Sequence, residues 1–196
     1  LDSYTLERAP VGAQIVARAN QSRVDYGPLN QCFRDPSAAN PVEAGLAELA
    51  DPSPKGQARR TALAEALKLK NYEFNAQGVE LNQRCVSAAV IPDADGAEEV
   101  WKRDPQLYLQ ATTRPGAKLP HAWLVGRDGR RVSTLDLVGH GQFTLLTGLA
   151  GQPWVQAAEA LARPYLRTVV IGTTGALDAY CSWQTLREID EAGALL

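Results

Sequence analysis

FTLLTGLAGQPWVQAAEALARPYLRTVVIG, residues 143–172, decides the fold class. Phe143 to Thr147 and Thr168 to Gly172 are short apolar runs of the kind that form buried strands. Between them, Gln152 to Ala162 places Val155, Ala158 and Leu161 on one side of a helix, and Pro164 supplies a stop. A strand, a helix and a second strand in this order predict parallel pairing and an α/β class. Working upstream, Ala122 to Val125 and Val132 to Val138 flank Asp128-Gly129, a tight-turn pair, and predict a hairpin. Working downstream, Trp183 to Ala192 predicts a second helix ended by Gly193. The last residues, Ala194-Leu195-Leu196, then stand where a further strand is expected to begin.

The first half is less regular. Leu6, Val11, Ile15, Val16 and Ala19 form one apolar side of a helix over about 1–25, which Pro10 is expected to end or kink at Ala9 unless it opens a new first turn. Residues 27–57 carry Pro28, Pro36, Pro41, Pro52 and Pro54 and read mainly as connector, with short helical turns around Val42 to Ala50. Arg59 to Leu69 reads as a helix with Ala62, Leu63, Ala66 and Leu67 on one face. YEFNAQGVELNQRCVSAAVI, residues 72–91, has a central Gly and apolar Val79, Leu81, Cys85 and Val86, and suggests one or two short strands. IPDADGAEEVWKRDP, residues 91–105, is dense in turn formers and marks the main boundary, between about 92 and 110.

Composition is that of an ordinary globular chain: 196 residues, 45% hydrophobic and 21% charged, with a formal net charge of -2. No basic stripe suggests nucleic acid, and no run of about 18 apolar residues suggests a membrane span. The cluster Lys55 to Arg60 reads as a solvated helix start. Cys32, Cys85 and Cys181 are far apart and match no metal or dithiol spacing, which fits a reducing, cytoplasmic setting. There is no methionine, so Leu1 is not an initiator and the chain is expected to be a piece of a longer polypeptide.

The chemistry-bearing residues form no complete constellation. His121 follows a proline and precedes an apolar strand; its rigid setting suits an interdomain hydrogen bond. His140 lies between glycines in a loop. Neither has a metal-ligating neighbour. GHGQFTLLTGLAG, residues 139–151, lacks the Lys-Ser/Thr of a phosphate loop and the GxGxxG spacing of a dinucleotide site. Trp101, Trp123, Trp154 and Trp183 are spread singly and suit packing, and the pairs Glu98-Glu99 and Asp190-Glu191 read as solvated surface.

Longer stretches carry a resemblance. DSYTLERAPVGAQIVARANQS (2–22) resembles the helix that follows the second flavin-contacting motif in single-component aromatic hydroxylases. FNAQGVELNQRCVSAAVIPD (74–93) resembles the segment joining their catalytic part to the C-terminal domain. Residues 103–154, together with LRTVVIG (166–172) and WQTLREIDEAGALL (183–196), resemble that domain itself. The chain is thus similar to the C-terminal part of the FAD-dependent phenol monooxygenases, nearest to their chlorophenol-hydroxylating branch, the 2,4-dichlorophenol 6-monooxygenases. Where relatives tend to carry a tyrosine after Asn-Gln-Arg, this chain has Cys85.

The resemblance implies a parent enzyme that binds FAD, takes electrons from NADPH and inserts one oxygen of O2 ortho to a phenol hydroxyl. It implies a division at about residue 100. Residues 1–100 would be a helical connector ending the FAD and substrate domain, and 101–196 a thioredoxin-like domain, incomplete at its C-terminus. In that fold a CxxC follows the first core strand. Here the residues are LAGQ, 149–152, so no thiol is present and the domain is redox-inactive. The family's flavin fingerprints are absent from this stretch. No catalytic, cofactor-binding or metal-binding residue is assigned; FAD and NADPH would bind elsewhere in the polypeptide. Expected partners are the upstream FAD-binding domain, a small phenolic substrate and further copies of the chain, with no nucleic acid and no membrane. The competing reading is a stand-alone, redox-inactive thioredoxin-like interaction module.

Overall fold

A computed structural model describes residues 2–93, 96–172, 183–189 and 191–196. It divides into two compact units: residues 1–89 with 99–110, and residues 90–98 with 111–196.

The first unit is helical. Its long helix α1, Asp2–Val24, runs through Pro10 rather than ending at Ala9. Pro10 and Leu6 are both exposed, so the Leu6 carbonyl, which loses its intrahelical donor, can be solvated. The expected apolar side is only partly used: Val11 is buried, whereas Leu6, Ile15 and Val16 are exposed. The stretch read as connector is largely helix, with α2 Tyr26–Cys32, α3 Pro41–Ala50 and α4 Pro54–Leu69. Its prolines are the reason. Pro41 and Pro54 occupy first-turn positions, where a missing N–H costs nothing, and Ser53 caps α4 by accepting from the Gly56 amide at 3.3 Å. The strands expected in 72–91 are instead two short helices, α5 Asn71–Phe74 and α6 Gln77–Leu81. Position 78 in α6 holds a glycine because a side chain would meet the Pro105 carbonyl; a Cβ would stand 2.1 Å from that oxygen.

The second unit holds the sheets. Strands β1, Trp123–Val125, and β2, Arg131–Ser133, pair antiparallel as the expected hairpin. The turn contains Gly129 at a φ of 77°, and the Gly126 amide donates to Arg130 at 2.7 Å. The second strand is shorter than expected, because Ser133 caps a 3-10 turn over Thr134–Asp136. Strand β3, Phe143–Thr147, is central in a three-stranded sheet. It pairs parallel with β4, Leu166–Val170, through the crossover helix α7, Gln152–Leu161. On its other side β5, Ala194–Leu195, pairs antiparallel with Leu146 and Thr147. Helix α7 stops at Ala162, whose left-handed φ of 47° ends it before Pro164 is reached. Leu161 is exposed and not inward-facing, while Val155 and Ala158 are half-buried. Helix α8 covers only Trp183–Leu186 and does not run to Ala192. The core gathers Ala122, Leu124, Leu146, Ile171 and Trp183, with Val132 and Leu195 packed against it.

Candidate functional site

The loop from β3 into α7 is where the parallel crossover brings a strand end to a helix start, the place α/β proteins use for ligands. Gly148 and Gly151 are there for space. A Cβ on Gly151 would fall 1.8 Å from the Thr147 hydroxyl, and one on Gly148 would fall 2.5 Å from the Glu191 carbonyl. The C-terminal segment lies against this loop and takes its donors. The Leu149 amide donates to the Glu191 carboxylate at 3.2 Å and the Ala150 amide to the Glu191 carbonyl at 3.1 Å. The Gly151 amide donates to Gly148 at 3.1 Å. Trp154 adds its indole N–H to the Ala192 carbonyl at 2.9 Å, and Thr147 its hydroxyl to the Gly193 carbonyl at 2.6 Å. Arg187 holds the same Glu191 carboxylate.

That arrangement answers whether the loop fits a flavin pyrophosphate. A phosphate there needs free amides and positive potential; this loop offers amides already bonded and a carboxylate in their midst. It does not fit. Glu191, read from sequence as surface charge, is the residue that closes the loop; Asp190 lies outside the described residues. No signal in the sequence pointed to its role in the loop, since the loop amides it accepts from are about 40 residues upstream.

The other predicted residues are scattered. His121 Nδ1 lies 2.8 Å from the Ser133 hydroxyl, and its ring meets Trp123 edge-on at 4.9 Å. That bond is made inside its own unit. His140 is exposed and left-handed, with a φ of 56° between Gly139 and Gly141. Cys32 is buried with its thiol 3.3 Å from the Pro28 carbonyl, and Cys85 is half-buried; both are free. Cys181 lies outside the described residues. Among the described residues no group of His, Cys, Asp or Glu could hold a metal, and no helix is long and apolar enough to cross a membrane. A cavity of about 290 Å³ beside β3 is walled by Leu119, Phe143, Leu146 and Leu195, with Thr113 and Arg114 at its edge. Among the described residues Arg114 is its one lining residue with an ionisable side chain.

Two charge clusters of the helical unit also differ from the sequence reading. The cluster Lys55 to Arg60 does open a helix, α4, and Lys55 is exposed, but Arg59 and Arg60 are tied down rather than solvated. Arg59 donates to the Cys32 and Arg34 carbonyls and to Glu48, while Arg60 donates to the Leu49 and Asp51 carbonyls. These are helix-end carbonyls, and the guanidinium forks cap them. Hydrogen bonds from Arg59 and then Lys55 hold the Glu48 carboxyl below the usual carboxylate range. Glu99 is likewise no free surface charge: Arg84 meets it bidentately at 2.8 Å and Gln110 donates to it at 2.7 Å.

Among the described residues the geometry gives a framework of packed strands, capped helices and ion pairs, and comparison with known proteins says to what the framework belongs. The family model "Aromatic-ring hydroxylase, C-terminal" matches residues 112–196. The whole chain aligns with 2,4-dichlorophenol 6-monooxygenase of Cupriavidus pinatubonensis at 43% identity, covering 100% of this chain and 34% of that protein. Residues 112–196 are an aromatic-ring hydroxylase C-terminal domain. A phenol 2-monooxygenase from a Pseudomonas species is 41% identical over 100% of this chain and 33% of its own length. Among solved structures, the flavin-dependent monooxygenase PieE, in complex with FAD and substrate, superimposes with a TM-score of 0.84 at 42% identity. The match covers 99% of this chain and 34% of PieE. The chain thus spans about a third of the length of the relatives it matches, and corresponds to the C-terminal part of phenol and chlorophenol monooxygenases.

Proposed function

We propose that this chain is the scaffold portion of a cytoplasmic flavoprotein monooxygenase that ortho-hydroxylates phenols, chlorophenols among them, with NADPH and O2. The observation that carries this reading is identity above 40% along the full chain to two phenol-hydroxylating enzymes. FAD, when bound, supplies oxygen activation. The described residues of this chain hold no cradle for its phosphates, so its cofactor and substrate contacts lie in the rest of the parent polypeptide. What the present residues supply is rigidity. The Glu191 clamp and the sheet around β3 fix one unit, and the Arg59, Arg60 and Arg84 forks fix the other.

The β3–α7–β4 parallel crossover with antiparallel β5 alongside supports a thioredoxin-like arrangement for residues 101–196. The residues at the position of a thioredoxin's thiols, 149–152, are LAGQ, and the loop is occupied by the protein's own C-terminal segment. We infer a structural role for this domain, in packing and in contacts between copies.

The test is to express the whole reading frame. The product is expected to be yellow, to oxidise NADPH faster when 2,4-dichlorophenol is added, and to place one atom from 18O2 on the ring. A colourless protein that leaves NADPH untouched would overturn the reading. The 196-residue piece alone is expected to retain no flavin.

A further inference from the structure

The chain passes between the two units three times, after residues 89, 98 and 110, and the segment 99–110 lies between the last two passages. Among the described residues, none from 99 to 110 is buried or lies in a helix or strand. Such a stretch has neither apolar burial nor a regular ladder to hold it, and its backbone groups must find other partners. Asn82, at the end of α6, meets three of them. Its carboxamide oxygen accepts from the Gln110 amide at 2.8 Å, and its nitrogen donates to the Pro105 carbonyl at 2.9 Å and the Tyr108 carbonyl at 2.7 Å. The Gln110 side chain donates to Glu99 at 2.7 Å and accepts from the Lys102 amide at 3.0 Å, so the two ends of the segment meet. Arg84 forks onto the same Glu99 carboxylate, and its guanidinium carbon lies 5.0 Å from the centre of the Trp101 ring. The middle is seated on α5 and α6: Tyr72 donates to Asp104 at 2.6 Å, and the Val79 amide to the Gln106 carbonyl at 3.2 Å. A compact surface loop whose ends meet is an Ω-loop.

We propose that this loop is a clasp on the crossings, closed by Asn82 and Glu99, with Asn82 as its positioning residue. Closed, it fixes the departures after residues 98 and 110 to the helical unit. Open, it leaves the crossing after residue 89 as the one still fixed there. The chemistry of Asn82 is specific to the task. Two carbonyls and one amide demand a group with two donors and an acceptor, which a carboxamide has; a carboxylate has no donor and a hydroxyl has one. Because side-chain bonds hold the loop, it opens as a local event while the helices beneath it stay closed.

Amide hydrogen exchange on the full-length polypeptide, read by mass spectrometry, tests the clasp. In Asn82→Asp the amides of 99–110 should exchange at least about tenfold faster, because the carboxylate keeps the Gln110 bond and loses both donated ones. Glu99→Gln keeps the shape and loses the charge, and should speed the same amides by about threefold. Peptides from α4 and β3 should keep wild-type rates in both variants. Asn75→Asp is the control, an exposed asparagine bonded to Asn71, and should leave every rate as it is. Trypsin gives a second reading, since Lys102 and Arg103 lie inside the loop. Brief digestion should cut Asn82→Asp at these two residues first, and wild type elsewhere first. Unchanged exchange in 99–110 overturns the proposal, as does the same order of cutting in both proteins. Faster exchange that spreads evenly into α4 also overturns it, and makes Asn82 a general stabilising residue of the helical unit. Should Asn82→Asp fail to fold, Glu99→Gln decides on the same exchange outcomes.

Discussion

The two units keep their shape by different means. Among the described residues, the unit of residues 90–98 and 111–196 buries Ala122, Leu124, Leu145, Leu146, Ile171 and Trp183. The helical unit buries Val11, Cys32, Ala66 and Val79, side chains mostly small. It compensates with polar ties. Arg59 and Arg60 cap carbonyls, Arg84 grips Glu99, and buried Lys70 donates to the Ser22 carbonyl at 3.2 Å while its ammonium sits 3.4 Å from the centre of the Tyr26 ring. Apolar burial is non-directional and tolerates small errors; guanidinium forks and close glycines do not. One unit should therefore fail by losing volume and the other by losing geometry.

The largest effect is expected at the sheet unit's anchor. Trp183 is 3% exposed within the core cluster. Trp183→Ala should cost about 3–5 kcal/mol, as large-to-small changes of buried aromatics do. Calorimetry should show the loss as a lower thermal midpoint. A midpoint within error of wild type would mean that this core is not what holds the unit.

Next comes a polar tie inside the same unit, which sharpens the contrast. Glu188 accepts from the Thr112 hydroxyl at 2.5 Å and the Thr113 amide at 3.0 Å, and its own amide donates to the Thr113 hydroxyl at 2.7 Å. Glu188→Ala leaves the buried Thr113 amide without its acceptor and should cost about 1–3 kcal/mol. Chemical denaturation should report a lower midpoint with an unchanged slope. If Glu188→Ala costs more than Trp183→Ala, the apolar account of this unit is wrong.

The helical unit is tested by a pair of glycines in similar helices. A Cβ at Gly56 would lie 2.1 Å from the Asp51 carbonyl, whereas one at Gly12 meets nothing within 4 Å. Gly56→Ala should destabilise by about 1–3 kcal/mol through overpacking. Gly12→Ala should stabilise by about 0.5–1 kcal/mol, because an interior helical glycine carries an entropic cost. Opposite signs in one thermal-shift series would show that this unit is set by close approach. Equal signs would break that view.

These contrasts also explain what the sequence made legible. Phe143 to Thr147, the Asp128-Gly129 turn and the helix over Gln152 to Leu161 were readable because apolar period and turn chemistry are local signals. Their limits were less so. Ala162 ends its helix by a left-handed backbone, and Ser133 cuts β2 short with a cap, features that depend on local geometry more than on hydropathy. The helices over Pro41–Ala50 and Pro54–Leu69 were hidden by their own prolines, which weigh as breakers in a composition count and serve as first-turn residues in the fold. Residues 72–91 read as strand from apolar spacing, yet the Pro105 carbonyl beside Gly78 belongs to a segment over 20 residues away. The clamp on the β3–α7 loop was illegible for the same reason. An acidic residue near a chain's C-terminal segment carries no mark of the amides it will accept from.

The smallest expected effect is acid sensitivity of the helical unit, and its sign follows from Glu48. Arg59 donates to the Glu48 carboxylate at 3.0 Å and Lys55 lies 2.9 Å from it, so the folded carboxyl titrates below its ordinary value. Asp35 is lowered in the same sense, first by the Ser37 hydroxyl, and Asp104 by the Tyr72 hydroxyl and the Gln106 amide. The unfolded chain takes up protons near the ordinary carboxylate range, about pH 4, before the folded one does. The stabilisation is therefore complete above that range and is lost as pH falls through the lower, folded values. Lys55 is 71% exposed and the cluster is open to solvent screening, which is why this effect ranks last. Unfolding curves followed from neutral pH down to acid should show stability falling, and Glu48→Gln should lower the neutral plateau while flattening the acid slope. The sheet unit's core carries no such pairing, so Trp183→Ala should shift the whole curve without changing its slope. An acid slope untouched by Glu48→Gln would mean that the Arg59 fork is worth only its bonds to the Cys32 and Arg34 carbonyls. The helical unit would then be held by capping alone, with its ion pairs as bystanders.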